Sequence, residues 1–250
     1  MRKILYAFLD LLLLRTWHVK KALRRIARQF PGDASVLDAG SGFGQYTWRM
    51  SKMNSRWNIK AVDINSEQIE DCTWFFNKSG LSGRVAFQTG DLTTLADTDL
   101  YNIILSVDVM EHIEQDVTVF RNFYHSLKDN GLLLISTPSD KGGSDVHSNE
   151  EESFIDEHVR EGYSIKDITE KLSRAGFRNI EAGYTYGKPG NISWHLSMKY
   201  PIKMLNYSYL FFIILPFYYM IFFPVSLILN IVDLNLTHKT GTGLLVTARK

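Results

Sequence analysis

The chain has 250 residues, 45% of them hydrophobic, with 28 basic and 27 acidic side chains and a formal net charge of +1. That length and apolar content suit one domain with a full core. The single cysteine, Cys72, excludes an intrachain disulfide and suits a reducing cytoplasm, and the paired-cysteine and Cys/His spacings of a zinc site are missing.

The balanced total hides an asymmetry. Residues 1–30 carry Arg2, Lys3, Arg15, Lys20, Lys21, Arg24, Arg25 and Arg28 against Asp10 alone, so the rest of the chain holds 20 basic residues against 26 acidic ones. Ile4, Leu5, Phe8, Leu9 and Leu11 to Leu14 form an apolar stretch within this basic segment, with Trp17 beside it. The stretch is too short to span a bilayer and has no small-residue cleavage site, so it is a poor signal peptide. Residues 1–33 are therefore expected to form a basic amphipathic helical arm drawn to anionic lipid. Its leucines favour lipid over nucleic acid, and the body lacks the aromatic-basic pattern that reads RNA.

Residues 34–250 are expected to form the globular domain, which opens on Val36-Leu37-Asp38-Ala39-Gly40-Ser41-Gly42-Phe43-Gly44. An apolar strand ends at a carboxylate and runs into three alternate glycines. This is the pattern of a tight turn beneath a helix N-terminus, where a nucleotide-like ligand presses on backbone. The dinucleotide fingerprint would place its third glycine at position 45, which is Gln45. The early Gly44 and the preceding Asp38 disfavour a pyrophosphate. They suit a ligand that carries an ammonium and a sulfonium, S-adenosylmethionine (SAM).

Downstream the elements alternate. A helix is expected over residues 45–53, and a second strand over 58–63 ends at Asp63, about 20 residues beyond the glycines, where an acid meets ribose hydroxyls in doubly wound folds. Ser66 opens a helix that Gly80 ends. Residues 84–88 form a third strand followed by Gly90-Asp91. The apolar run 101–107 reads as a fourth strand, buried on both faces, and Asn130-Gly131 turns the chain into a fifth over 132–137. Ser164 and Asp167 begin a capped helix that Gly176 ends, residues 177–184 form a sixth strand, and residues 242–249 a seventh. Strands and helices at this spacing mean βαβ units.

On these motifs the chain resembles the class I SAM-dependent methyltransferases, of the small-molecule type related to quinone-biosynthesis O-methyltransferases. The resemblance covers residues 34–190 and resumes at the C-terminus. It implies a doubly wound, mostly parallel seven-stranded sheet whose last strand inserts antiparallel beside the sixth. It implies that Gly40, Gly42 and Gly44 border the methionine and ribose of SAM, and Asp38, read above as compatible with the ligand's ammonium, joins them as a cofactor-binding candidate. Asp63, with Ile64 next to it, would hold the ribose diol, and Asp91 with Leu92 the adenine. Asp108 would border the methyl group. Each carboxylate also has a plain structural role open to it: Asp63 as a helix cap, Asp91 as a turn residue.

More than fifty residues separate the sixth and seventh strands, and residues 204–232 contain no charge but many Tyr and Phe. Length permits one membrane crossing. Topology opposes it, because strands that share a sheet must lie on one side. Pro216 and Pro224 are expected to break the run, giving a helical hairpin at about residues 198–238 that dips into one leaflet or lies on it. A lid over the site or a homodimer interface is the competing use.

For chemistry the segment Asp108-Val109-Met110-Glu111-His112 matters most. As an α-helical turn it would put Asp108, Glu111 and His112 on one face at the carboxyl end of the fourth strand. His112 could then act as a general base, with Glu111 beside it as a further catalytic candidate, or all three could hold a divalent ion, with Mg2+ implied by the resemblance. Glu111 and His112 could also shape the pocket without reacting. His147, in the polar loop 138–164 that Gly142-Gly143 could hinge, is a second candidate base or ligand. The expected activity is methyl transfer from SAM to a lipophilic small molecule, phenolic, quinone-like or lipid-linked, by a protein held on the cytoplasmic face of a membrane. The alternatives are a soluble O- or N-methyltransferase of a polar metabolite, and a SAM-binding membrane partner without turnover.

Overall fold

The computed structural model describes residues 2–142 and 159–250. Two helices, α1 (Arg2–Leu12) and α2 (Leu14–Ala27), precede β1 (Ala34–Ala39). There follow α3 (Gln45–Met53), β2 (Trp57–Asp63), α4 (Ser66–Lys78), β3 (Val85–Thr89), β4 (Tyr101–Val107), α5 (Asp116–Ser126), β5 (Leu127–Pro138), α6 (Ile165–Ala175) and β6 (Arg178–Thr185). The helices α7 (Lys188–Trp194), α8 (Tyr200–Tyr207) and α9 (Phe211–Asn235) come before β7 (Gly243–Arg249). The seven strands form one sheet in the order β3-β2-β1-β4-β5-β7-β6. The first five are parallel, and β7 pairs antiparallel with both β5 and β6, as the resemblance implied.

The helix ends follow local chemistry. Asn65 caps α4 by accepting the Gln68 N–H at 3.0 Å, and Ser164 caps α6 by accepting the Asp167 N–H at 3.0 Å. Two apolar clusters, one on each face of the sheet, form the core. Six of the seven β4 residues are buried, which matches the continuous apolar run of that strand. The fifth strand starts earlier than expected, at Leu127, because Asn130 takes a left-handed conformation (φ +61°) and the chain continues through Gly131 along β4.

The insertion is a helical hairpin, but the prolines do not break it. Pro216 and Pro224 lie inside one continuous 25-residue helix, α9. The chain reverses instead at residues 208–210, where Ser208 is extended. Packing between the arms decides this. A π-turn at His195–Lys199 rearranges the helical bonding of the first arm, and the Tyr218 and Tyr219 hydroxyls donate to Leu196 O (2.8 Å) and Ser197 O (3.0 Å) there. Buried Ser193, Ser197 and Ser226 let the two backbones approach closely.

At its base the hairpin is anchored to α2. Asp233 is fully buried, accepts the Gly190 N–H at 3.0 Å, and lies 3.0 Å from His18 Nε2 and 3.2 Å from His238 Nε2. Lys21 donates to Leu234 O at 2.6 Å.

Candidate active site

The parallel strands β1, β4 and β5 end at the same edge of the sheet, and the site is built there. After β1 the chain enters the glycine turn with φ of +80°, +50° and +82° at Gly40, Gly42 and Gly44. At Gly40 no side chain fits: a Cβ would fall 2.1 Å from Val109 Cγ2. The Gly40 and Ser41 N–H groups both donate to Val62 O, which fastens the turn to β2. Asp63, at the end of β2, accepts the Gly42 N–H at 2.7 Å and the Asn65 N–H at 3.0 Å. Its carboxylate is thus fixed beside the turn while staying partly exposed, and Ile64 next to it is 75% exposed.

Asp38 is 2% exposed and accepts a 2.5 Å hydrogen bond from Thr47 Oγ1. Burial pushes its carboxyl from an ordinary 3.8 up to about 7; the charge of Asp63 adds to this, and the Thr47 bond opposes it. Asp91 lies at the tip of β3 and caps the following 3₁₀ turn through the Thr93 N–H at 2.8 Å. The Leu92 side chain is packed in the core, so only its main chain faces the edge.

The expected shared face of Asp108, Glu111 and His112 does not form. Asp108 leaves β4 in a left-handed conformation (φ +50°), and Met110–His112 is one 3₁₀ turn rather than an α-helical one. The tighter turn drives Glu111 inward and His112 outward. Glu111 is buried, accepts a 3.1 Å hydrogen bond from Thr137 Oγ1, and is raised above the usual carboxylate range by burial. Asp108 forms an ion pair with Arg15. Among the described residues no group of three His, Cys, Asp or Glu side chains converges to hold a metal ion, so the donor set does not fit Mg2+. His147 lies outside the described residues.

The basic arm is docked over this site. Tyr6 is buried against Phe43, Trp48 and Phe75 and donates to Phe43 O at 2.5 Å. Asp10 pairs with Arg49 and accepts from Gln45 Nε2 at 3.0 Å. Arg15 reaches Asp108 in the field of Tyr46, Tyr186 and Glu111. Arg15, Tyr46, Thr137 and Tyr186 were not legible as site residues, since no local motif marks them. A separate groove of about 590 Å³ runs between α2 and the β6/β7 face, lined by Lys21, Arg25, Leu245 and Arg249 among others, and contains none of the expected site residues.

A carboxylate-tipped strand, a glycine turn closed on a second acid, and β7 inserted antiparallel between β5 and β6 coincide with a family match. The model of the methyltransferase domain covers residues 32–181. The chain belongs to the methyltransferase domain family. Within it, the chain is 26% identical over 102 residues to the ubiquinone biosynthesis O-methyltransferase of Rickettsia canadensis, covering 41% of this chain and 42% of that protein. It is 27% identical over 148 residues to phosphoethanolamine N-methyltransferase 1 of Triticum aestivum, covering 59% and 29%. The chain thus spans less than half the length of these curated relatives. Phosphoethanolamine N-methyltransferase 2 of Haemonchus contortus, solved in complex with SAM, shares the fold at a TM-score of 0.63 and 18% identity, covering 94% of this chain and 52% of that one.

Proposed function

We propose that this protein transfers the methyl group of SAM to a lipophilic small molecule, phenolic, quinone-like or lipid-linked, while resting on the cytoplasmic face of a membrane. The observation that carries the proposal is where the hairpin leaves the fold. Thr185 ends β6, Gly243 begins β7, and Pro138 ends β5, and the three are register partners across the sheet. The hairpin therefore emerges from the edge that holds the glycine turn and Asp108.

Its outer surface is apolar. Helix α9 is long and apolar enough to cross a membrane, and only 11% of its most apolar stretch is buried. Tyr207 and Tyr209 at the tip are 86% and 82% exposed, as suits the headgroup level. The first arm carries Lys199 and exposed Lys203, which oppose full insertion. The reading that fits both arms is monotopic, with α9 toward lipid. Ile4, Leu5, Phe8 and Leu11 on the open side of α1 supply a second apolar face amid basic residues.

The glycine turn and Asp63 fit SAM: the turn holds positive φ at Gly40, Gly42 and Gly44, which leaves bare backbone for a ligand to approach, and the fixed acid lies where ribose hydroxyls would donate. Asp38 would take the ammonium group, and Asp91 with the Leu92 main chain the adenine. SAM supplies an electrophilic methyl group on a positively charged sulfur. The protein's share is to align the acceptor, exclude water under the arm, and accept a proton. Glu111 is the group placed for that last step. Burial raises its proton affinity, and Thr137 holds its carboxyl in place.

Flotation with anionic liposomes, together with release of S-adenosylhomocysteine on addition of membrane lipid extract, tests the proposal. Wild type should float, and Phe217→Asp/Ile221→Asp/Ile228→Asp should not. A protein that remains in the soluble fraction as a dimer would assign the hairpin to self-association instead. Flotation without turnover would point to a membrane-bound SAM-binding partner.

A further inference from the structure

Resting on that functional reading, we propose that Arg15 is the acceptor-recognition residue and selects an acceptor with an acidic oxygen, a phenol or enol, over an amine. Arg15 belongs to the arm, 93 residues before Asp108 in sequence, yet its guanidinium lies at the carboxyl end of β4. The arm does not need it for attachment. Tyr6 on Phe43, Asp10 on Arg49, and His18 on Asp233 already hold α1 and α2 down. Among the described residues Arg15 Nε is buried and has no hydrogen-bond partner, which leaves an unsatisfied donor on the guanidinium that pairs with Asp108. Tyr186, beside the guanidinium, takes the left-handed conformation (φ +57°), which a bulky side chain rarely adopts. Backbone strain of this kind collects where side chains are aimed at a ligand.

The groups that face Arg15 can be named element by element. The end of β4 presents Asp108, and the 3₁₀ turn presents Glu111 with His112 on its outer side. Helix α3 presents Tyr46, and the segment after β6 presents Tyr186. Behind Tyr186 stand His18 and then Asp233, with His238 beside it. Asp108 neutralises one unit of charge, and Glu111 becomes neutral once it takes a proton. A phenolic oxygen between Arg15 and Glu111 would give its proton to the Glu111 carboxylate while the guanidinium stabilises the anion. The oxygen lone pair then forms the O–C bond to the methyl group, the C–S bond breaks, and its electron pair remains on sulfur as a neutral thioether. An amine, cationic when protonated and again once methylated, would carry a charge of the same sign as the guanidinium.

Nitrocatechol, a chromophoric phenol, tests this without turnover. It is titrated against full-length protein loaded with S-adenosylhomocysteine, and the phenolate absorption is followed against pH. Wild type should lower the ionisation of the bound probe by about one unit or more relative to free probe. Arg15→Gln should abolish that shift and Arg15→Lys should retain part of it, while S-adenosylhomocysteine affinity by calorimetry stays within about threefold. Failure of wild type to bind the probe would overturn the assignment. So would a bound ionisation that Arg15→Gln leaves unmoved, which would make the Arg15–Asp108 pair a latch for the arm. Membrane binding is read separately by flotation, so failure of the lipid-surface reading would be seen independently.

Discussion

Asp38 offers a quantitative test of the site because its burial and its proton affinity are linked. The carboxyl is 2% exposed, and burial raises it from 3.8 to about 7. At about 1.36 kcal/mol per pH unit, the gap corresponds to roughly 4 kcal/mol against the charged form. The sign follows from proton counting. Below pH 3.8 the folded and unfolded chains both carry the proton. As pH rises from about 4 to 7, the unfolded chain releases it first and is favoured, so stability falls across that window and then levels off. Asp38→Asn removes the titration but keeps an acceptor for Thr47 Oγ1. Urea unfolding of both proteins from pH 4.5 to 8 should show wild type losing stability relative to the variant as pH rises. By pH 8 the variant should be ahead by about 2–3 kcal/mol, after allowing roughly 1 kcal/mol for the weaker bond to Thr47. Titrations elsewhere cancel in the difference. A ligand ammonium that pairs with Asp38 demands the charged form, so wild-type SAM affinity should rise toward pH 7 and the variant's should not. Parallel stability curves would refute the reasoning, because they would mean that Asp38 is ionised in the fold at a solvent-like cost.

Asp63→Ala should abolish SAM binding in calorimetry, and unchanged affinity would remove the ribose assignment. Gly40→Ala should destabilise the fold by about 2 kcal/mol or more in chemical denaturation, since its Cβ would collide with Val109 and φ is +80°. Glu111→Gln should lower turnover on the order of 10²-fold or more while sparing SAM affinity, whereas His112→Ala should leave the rate within a few-fold. Asp233→Ala should cost about 3 kcal/mol in unfolding free energy, because it strands His18 and the Gly190 N–H at the base of the hairpin.

Much of the fold could be read along the chain because its signals are local. The glycine turn, the strand ending at Asp63, the β4 run, and the Ser164 and Gly176 caps each depend on residues within a few positions. The hairpin was legible as a feature but not in its breakpoint. Proline's missing N–H argued for a break at 216 and 224, whereas contacts about twenty residues apart, Tyr218 to Leu196 and Tyr219 to Ser197, place the reversal at 208–210. The Asp108–His112 segment misled for a similar reason. Its spacing suggested one α-helical face, but the left-handed exit at Asp108 and the 3₁₀ turn after it separate Glu111 from His112.

The sequence by itself determined the architecture and the glycine turn proposed to hold SAM, since a βαβ order and a D-x-G-x-G-x-G turn are short-range patterns written in periodicity and backbone freedom. Only the tertiary structure decided which groups gather around Asp108, where the acceptor is proposed to bind. Arg15, Tyr46, Glu111 and Tyr186 come from an arm, a helix, a 3₁₀ turn and a strand end. They meet because the sheet gathers its strand ends at one edge and the arm folds back over them. No pattern within a single segment encodes a meeting that depends on how separate segments pack.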